Sequence, residues 1–419
     1  MSHYRRKFYR SLLAVLLIAL LAGSFSYAAV WICGELGQIG QFVQPAGGFP
    51  SQSSSLSSQE NLDFSVESTA ESSQLMSESD RFEAYYSQAE TILAQMTVSE
   101  KIGQLFLVDF PDGDPQEWIS QYHPAGLILF SKTISNQTPD SLRELLADCN
   151  AWSKIPLTFA VDEEGGEVVR ISQYSAFRQT PFSSPQSLIQ QGGIDALAAD
   201  ALEKSEFLLD LGIQLNLAPV CDVAETPQDY IYSRTLGLDA EQTAEGITAI
   251  VTAMEQTGIS CALKHFPGYG GNPDTHSGTA MDSRSYSELS QRDFLPFQAG
   301  IQAGAEIVLV SHNTLTALDP QYPASLSPEI HRILREDLNF TGIIATDDLE
   351  MDALDSYGEN AALLAFEAGN NLILIKDLPA GVAAIQSAVD DGSITEEMLD
   401  AAIKPTIAWK LEKNIFPSN

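Results

Sequence analysis

Between Lys264 and Gly278 the chain reads KHFPGYGGNPDTHSG, which sets Lys264, His265, Asp274 and His276 in one Gly- and Pro-rich stretch directly after an apolar run. Two more segments share this form. AVDEEGGEVVR ends an apolar run in Asp162 and Glu163, and GIIATDDLEM ends one in Asp347 and Asp348. Carboxylates and imidazoles gathered where apolar segments stop can run acid/base and nucleophilic chemistry on a polar substrate. Other chemistries have less support. No G-x-S-x-G nucleophile motif is present. His265, His276 and His312 could in principle join the strand-end acids around a metal, but the denser H-x-H and H-E-x-x-H patterns are missing. No metal or organic cofactor is therefore expected.

These residues must be positioned by the apolar runs that precede them. The strand candidates are IGQLFLVDF, GLILF, PLTFAVDEE, GIQLNLAPVCDV, ISCALKHF, AEIVLVSHN, GIIATDD and NLILI. They are near-continuously apolar, as in a parallel sheet covered on both faces. Helix-like stretches lie between them, at Asp195–Leu211, Asp239–Thr257, Glu288–Gly304 and Asn360–Gly369. Gly212, Gly258, Gly304 and Gly369 stand where helix C-caps belong. Eight such units predict an α/β fold, a (β/α)₈ TIM barrel, with an open doubly wound sheet as the alternative. In a barrel the site lies at the C-terminal strand ends. Asp162, Glu163, Asp222, Lys264, His265, His312, Asn313, Asp347 and Asp348 all fall there. No G-x-G-x-x-G or Walker-type loop supports a nucleotide site.

The 419 residues carry 22 Lys+Arg against 56 Asp+Glu, a formal net charge of −34, which excludes the basic surface that nucleic acid requires. Cys33, Cys149, Cys221 and Cys261 are widely spaced and are expected as free, mostly buried thiols. Arg5, Arg6, Lys7 and Arg10 precede an apolar run from Leu12 to Cys33, about the ~20 residues that span a bilayer. The charge asymmetry directs the rest of the chain outside the cytoplasm. An uncleaved membrane anchor is the preferred reading, and a signal peptide cleaved near Ser26-Tyr27-Ala28 is the alternative. Residues 36–80 are dominated by Ser, Gln, Glu and Gly, a composition expected of a disordered tether spanning on the order of 35–40 Å. The expected organisation is thus anchor or signal at 1–35, linker at 36–80 and one catalytic barrel at 81–419, extracytoplasmic and monomeric.

Acid/base plus nucleophile chemistry is what glycoside hydrolysis needs: one group at the anomeric carbon, another to protonate the leaving oxygen. The segments VDEEGGEVVR, LNLAPVCDV, KHFPGYGGNPDTH and ATDDLEM, in this order, resemble the bacterial β-N-acetylhexosaminidases of glycoside hydrolase family 3. YPASLSPEIHRILREDLNFTGIIATDDLEM is similar to that family almost residue for residue, and the likeness runs from roughly Glu100 to Leu374.

The resemblance implies a retaining, exo-acting enzyme that releases terminal β-linked N-acetylglucosamine, from peptidoglycan fragments or other glycans. Asp347 would be the nucleophile and would form a glycosyl–aspartate intermediate. His276, paired with Asp274, would be the acid/base. An Asp that accepts a hydrogen bond from an imidazole fixes its tautomer and favours the charged ring. Family members with a Glu acid/base take it from a further C-terminal domain; the chain printed here stops at Asn419, so a barrel loop is expected to supply the acid. Asp162, Arg234, Lys264 and His265 match sugar-binding positions. Asp348 reads as a supporting or N-cap residue, and Arg170 as one half of an ion pair within the barrel. Two departures stand out: Tyr269 occupies a position that is usually His, and the loop from KHFPG to the Asp-x-His pair is one residue shorter. A family 3 β-glucosidase or β-xylosidase, or a non-catalytic glycan-binding protein, are the rival readings.

Overall fold

The computed structural model describes residues 80–111, 114–224 and 226–416. The expected anchor and almost all of the expected linker lie outside these residues. Among the described residues no helix is long and apolar enough to cross a membrane.

Eight parallel strands form one sheet: β1 Phe106–Asp109, β2 Gly126–Ile128, β3 Thr158–Val161, β4 Leu215–Asn216, β5 Ser260–Phe266, β6 Ile307–Val310, β7 Ile343–Thr346 and β8 Ile373–Ile375. Each pairs with its neighbour in chain order, and β8 pairs with β1 through Phe106–Ile373, Leu107–Leu374 and Val108–Ile375. The ring closes between β7 and β8 at a bridge from Ala345 to Leu372. The Leu374 amide donates to Thr346 Oγ1 (3.0 Å) at the same seam. A polar side chain thus stands in for a missing ladder bond. The fold is the barrel that the eight apolar runs predict, not the open sheet.

The runs are apolar because they are buried on both sides. β2, β3, β5, β6, β7 and β8 are buried along their whole length. Truncating such a residue, for example Ile344→Ala, would cost about 2–5 kcal/mol. Two strands are shorter than their sequences suggest. In IGQLFLVDF the first residues belong to a helical turn, Val98–Gly103, capped reciprocally by Thr97 and Glu100. In GIQLNLAPVCDV the ladder halts after Asn216, just before Pro219, which brings no amide donor.

The helices start and stop where local chemistry dictates. Asp239 caps Ala240–Thr257 by accepting from the Gln242 amide, and Gly258 ends it at φ 82°. Gly212, Gly304 and Gly369 also take positive φ at helix ends. The helix expected at Glu288–Gly304 is divided into Tyr286–Gln291 and Phe294–Gln302. Pro296 explains the break, because its ring would clash with the Arg292 carbonyl one turn earlier. The expected helix Asp195–Leu211 begins earlier, at Pro185, and bends at Gly193 (φ 66°, ψ −148°).

At the N-terminal end of the barrel Arg81 ties three elements together. It reaches the Gly304 carbonyl at 2.5 Å, Glu255 at 2.9 Å and the buried Glu306 at 3.3 Å. Cys149, Cys221 and Cys261 are free and buried, as expected, while Cys33 lies outside the described residues.

Candidate active site

The C-terminal strand ends open on one cavity of about 430 Å³, and all seven residues singled out for the site line it. Asp162 follows β3, Lys264 and His265 lie near the end of β5, and Asp347 follows β7. Arg234 closes a 3₁₀ turn, Tyr232–Arg234, in the long connection after β4. Asp274 and His276 stand on a single turn, Thr275–Ser277, in the loop after β5. A volume of this size is in the range of small-molecule sites.

The floor is a network of buried charges. Lys264 Nζ lies 2.7 Å from Asp162 Oδ1 and 2.6 Å from Glu164 Oε1. Arg234 meets Glu164 through a fork of two bonds, Nε to Oε2 at 2.9 Å and Nη2 to Oε1 at 2.7 Å. Burial alone would neutralise Glu164, but Lys264 and Arg234 hold its carboxyl well below the usual range. Burial likewise pulls Lys264 down, and Asp162 and Glu164 more than offset it. His265 Nδ1 lies 2.8 Å from Asp222 Oδ2, and its Nε2 lies 3.1 Å from Arg234 Nη2. Arginine can only donate. Nε2 therefore accepts, and the ring proton lies on Nδ1 facing Asp222.

Asp347 stands beside this floor. Burial raises its carboxyl, but the rings of His265 and His312, the Asp348 amide (2.9 Å to Asp347 Oδ1) and His276 hold it below the ordinary aspartate value. Asp348 moves the opposite way, pushed up to about 6 by burial and by the charges of Asp347, Glu350 and Asp109. Its Oδ1 accepts from the Glu350 amide at 3.0 Å, a supporting contact in the turn after β7, where no helix begins for it to cap. The two adjacent aspartates thus differ in environment.

The Asp274–His276 pair is set locally. Asp274 Oδ1 accepts from the His276 amide at 2.9 Å and from His276 Nδ1 at 2.8 Å. Asp274 is held below its usual value: burial opposes, and the His276 bonds, the ring itself and an interaction with Tyr230 win. The His276 side chain is 59% exposed, so it can meet a ligand that enters from solvent.

Some strand-end residues do not reach the cavity. Glu163 turns inward and accepts from the Arg170, Ile171 and Ser172 amides, which shapes the loop after β3. His312 is buried between Ser325 Oγ (2.7 Å) and the Asp348 carbonyl (2.9 Å), and burial lowers it toward the neutral form. The ion pair expected for Arg170 does not occur among the described residues. Its guanidinium lines the cavity 5.8 Å from the Phe130 ring centroid, because the nearby acid Glu163 is occupied by backbone amides.

Glu164 and Tyr230 are cavity residues that the sequence reading missed. A signal for Glu164 was present in the two glycines after it. Gly165 and Gly166 take φ 101° and 68°, and a Cβ on Gly165 would lie 2.2 Å from the Ser183 carbonyl oxygen. That tight turn sets Glu164 beneath Lys264.

With this geometry in hand, likeness to known proteins is informative. The family model described as "Glycosyl hydrolase family 3 N terminal domain" matches residues 97–407. A beta-hexosaminidase of Nitrosomonas eutropha is 32% identical over 267 residues, covering 61% of this chain and 75% of that one. A beta-hexosaminidase of Methylococcus capsulatus is 31% identical over 281 residues, covering 66% and 83%. Among solved structures, a glycoside hydrolase family 3 beta-N-acetylglucosaminidase from a Paenibacillus species superposes with a TM-score of 0.72 at 28% identity, over 77% of this chain and 64% of that one. A beta-N-acetylhexosaminidase from Beutenbergia cavernae superposes with a TM-score of 0.66 at 26% identity, over 76% and 99%.

Proposed function

The chain belongs to glycosyl hydrolase family 3, and from that premise we propose that it is a retaining exo-β-N-acetylglucosaminidase acting on glycans such as peptidoglycan fragments. The observation that carries the reading is the Asp274–His276 pair opening on the same cavity as a depressed, ionised Asp347. The names of the relatives support the sugar class.

In the first step the Asp347 carboxylate attacks the anomeric carbon as the bond to the leaving oxygen breaks. His276 gives that oxygen a proton. Its Nδ1 is committed to Asp274 at 2.8 Å, so Nε2 is the atom that transfers. In the second step water attacks the same carbon, gives its proton to Nε2 and frees Asp347, with net retention. Arg234, Lys264, His265 and Asp162 hold the sugar hydroxyls. Because Glu164 already fixes Arg234 and Lys264, and Asp222 fixes His265, binding costs little further ordering. Burial of the floor strengthens each contact relative to water. The barrel works outside the cytoplasm, tethered by the segment from Leu12 to Cys33, an assignment that rests on the sequence pattern alone.

The test is a panel of aryl β-glycosides differing at the 2-substituent, with the first-formed anomer followed by NMR. The N-acetylglucosaminide should be preferred and the β-anomer should appear first. Near-normal turnover by Asp347→Ala would sink the assignment.

A further inference from the structure

Tyr269 is buried, lies outside the cavity lining, and touches both halves of the site. Its amide donates to Asp222 Oδ1 at 2.6 Å, while the other oxygen of that carboxylate holds His265 at 2.8 Å. Its ring meets the His265 ring edge-on, with centroids 5.3 Å apart. Its hydroxyl lies 2.5 Å from Thr275 Oγ1. Thr275 is the residue between Asp274 and His276, and it alone from Gly271 to Thr279 is buried. The turn carrying the pair is otherwise open to solvent, with Asp274 part-exposed and His276 exposed. A short turn with so little apolar anchorage depends on its few polar contacts for its position.

We propose that Tyr269 is the positioning residue of the proton donor: its hydrogen bond to Thr275 sets the Asp274–His276 turn relative to the sugar floor built on Asp222 and His265. The role rests on the reading of His276 as the acid. Small displacements of an acid from the oxygen it serves are costly, and the cost falls on leaving groups that need protonation. An aryl leaving group departs with little help and should be insensitive.

The experiment compares the native chain, Tyr269→Phe, Thr275→Val, the double variant and Thr275→Ser on 4-nitrophenyl and methyl β-N-acetylglucosaminides. Tyr269→Phe and Thr275→Val should each lose about tenfold in kcat on the methyl glycoside, with KM unchanged, and stay within about twofold on the aryl one. The double variant should be no worse than either single, and Thr275→Ser, which keeps the hydroxyl, should behave as native. Equal losses on both substrates, a loss in KM alone, or additive losses in the double variant would overturn the proposal. His276→Ala is the control. A leaving-group-selective loss there leaves the acid assignment standing whatever Tyr269 does; equal losses there remove that assignment and the positioning role with it.

Discussion

Glu164 and Arg234 face each other through two nearly parallel hydrogen bonds, 2.7 and 2.9 Å, and the same carboxylate takes Lys264 Nζ at 2.6 Å. One anion thus bridges two buried cations at the floor of the cavity, and Asp162 completes the balance of Lys264.

Removing that anion leaves Arg234 without its carboxylate partner and Lys264 with Asp162 alone. Glu164→Gln is expected to destabilise the barrel by about 3–5 kcal/mol, read as a drop in the urea midpoint, and to raise KM for the aryl N-acetylglucosaminide. Unchanged stability would show that solvent reaches this floor freely.

The exposed acid should reveal itself through leaving groups. His276→Ala is expected to slow hydrolysis of alkyl glycosides by about 10²-fold or more, and of 4-nitrophenyl glycosides by about tenfold or less. A flat dependence of rate on leaving-group acidity in the native chain, steepening in the variant, is the kinetic signature to measure.

Asp348 makes a pH prediction with a definite sign. Its folded value lies near 6, raised from the ordinary 3.8 by burial and by its acidic neighbours. The folded state therefore holds this proton more tightly than the unfolded chain, and stability is lost as pH rises from about 4 through about 6. Asp348→Asn keeps an acceptor for the Glu350 amide but cannot titrate. Its stability advantage should grow between pH 4 and pH 6 and then level off, measured by urea unfolding at each pH. A constant difference across that window would refute the sign.

Gly268 takes φ 112°, and a Cβ there would approach Asp293 Oδ1 to 2.8 Å. That carboxylate is already bound by Arg284, which also holds the Gly268 carbonyl at 2.7 Å. Gly268→Ala is expected to cost about 1–3 kcal/mol in thermal or urea unfolding. A wild-type melting curve would mean that the loop relaxes without resistance.

Much of this molecule was legible before the fold. Strand ends announced themselves as apolar runs stopping in acids, and helix ends as glycines, because both signals are local. Asp347 stood out as such a strand end, while its role and those of Asp274 and His276 came from the family resemblance, and the structure brings all seven chosen residues to one cavity. What stayed hidden depends on partners far along the chain. Glu164 meets Arg234 and Lys264 across 70 and 100 positions, and only the barrel makes them neighbours. Arg170 was expected in an ion pair within the barrel, yet nearby Glu163 spends its oxygens on backbone amides. Tyr269 made no sense as a replacement in a sugar-binding loop and becomes intelligible once its hydroxyl is seen on Thr275.

Lys264 and His265 belong to the body of a barrel strand, whereas Asp274 and His276 ride on the turn beyond it. On the proposed roles, recognition of the sugar and delivery of the proton are therefore separable in inheritance. With the Asp274–His276 pair kept, insertions or substitutions around it should retune which aglycones are cleaved while recognition of the retained monosaccharide stays fixed. Directed evolution toward new linkages should begin in that loop, with Asp274, Thr275 and His276 held fixed, and leave the strand alone.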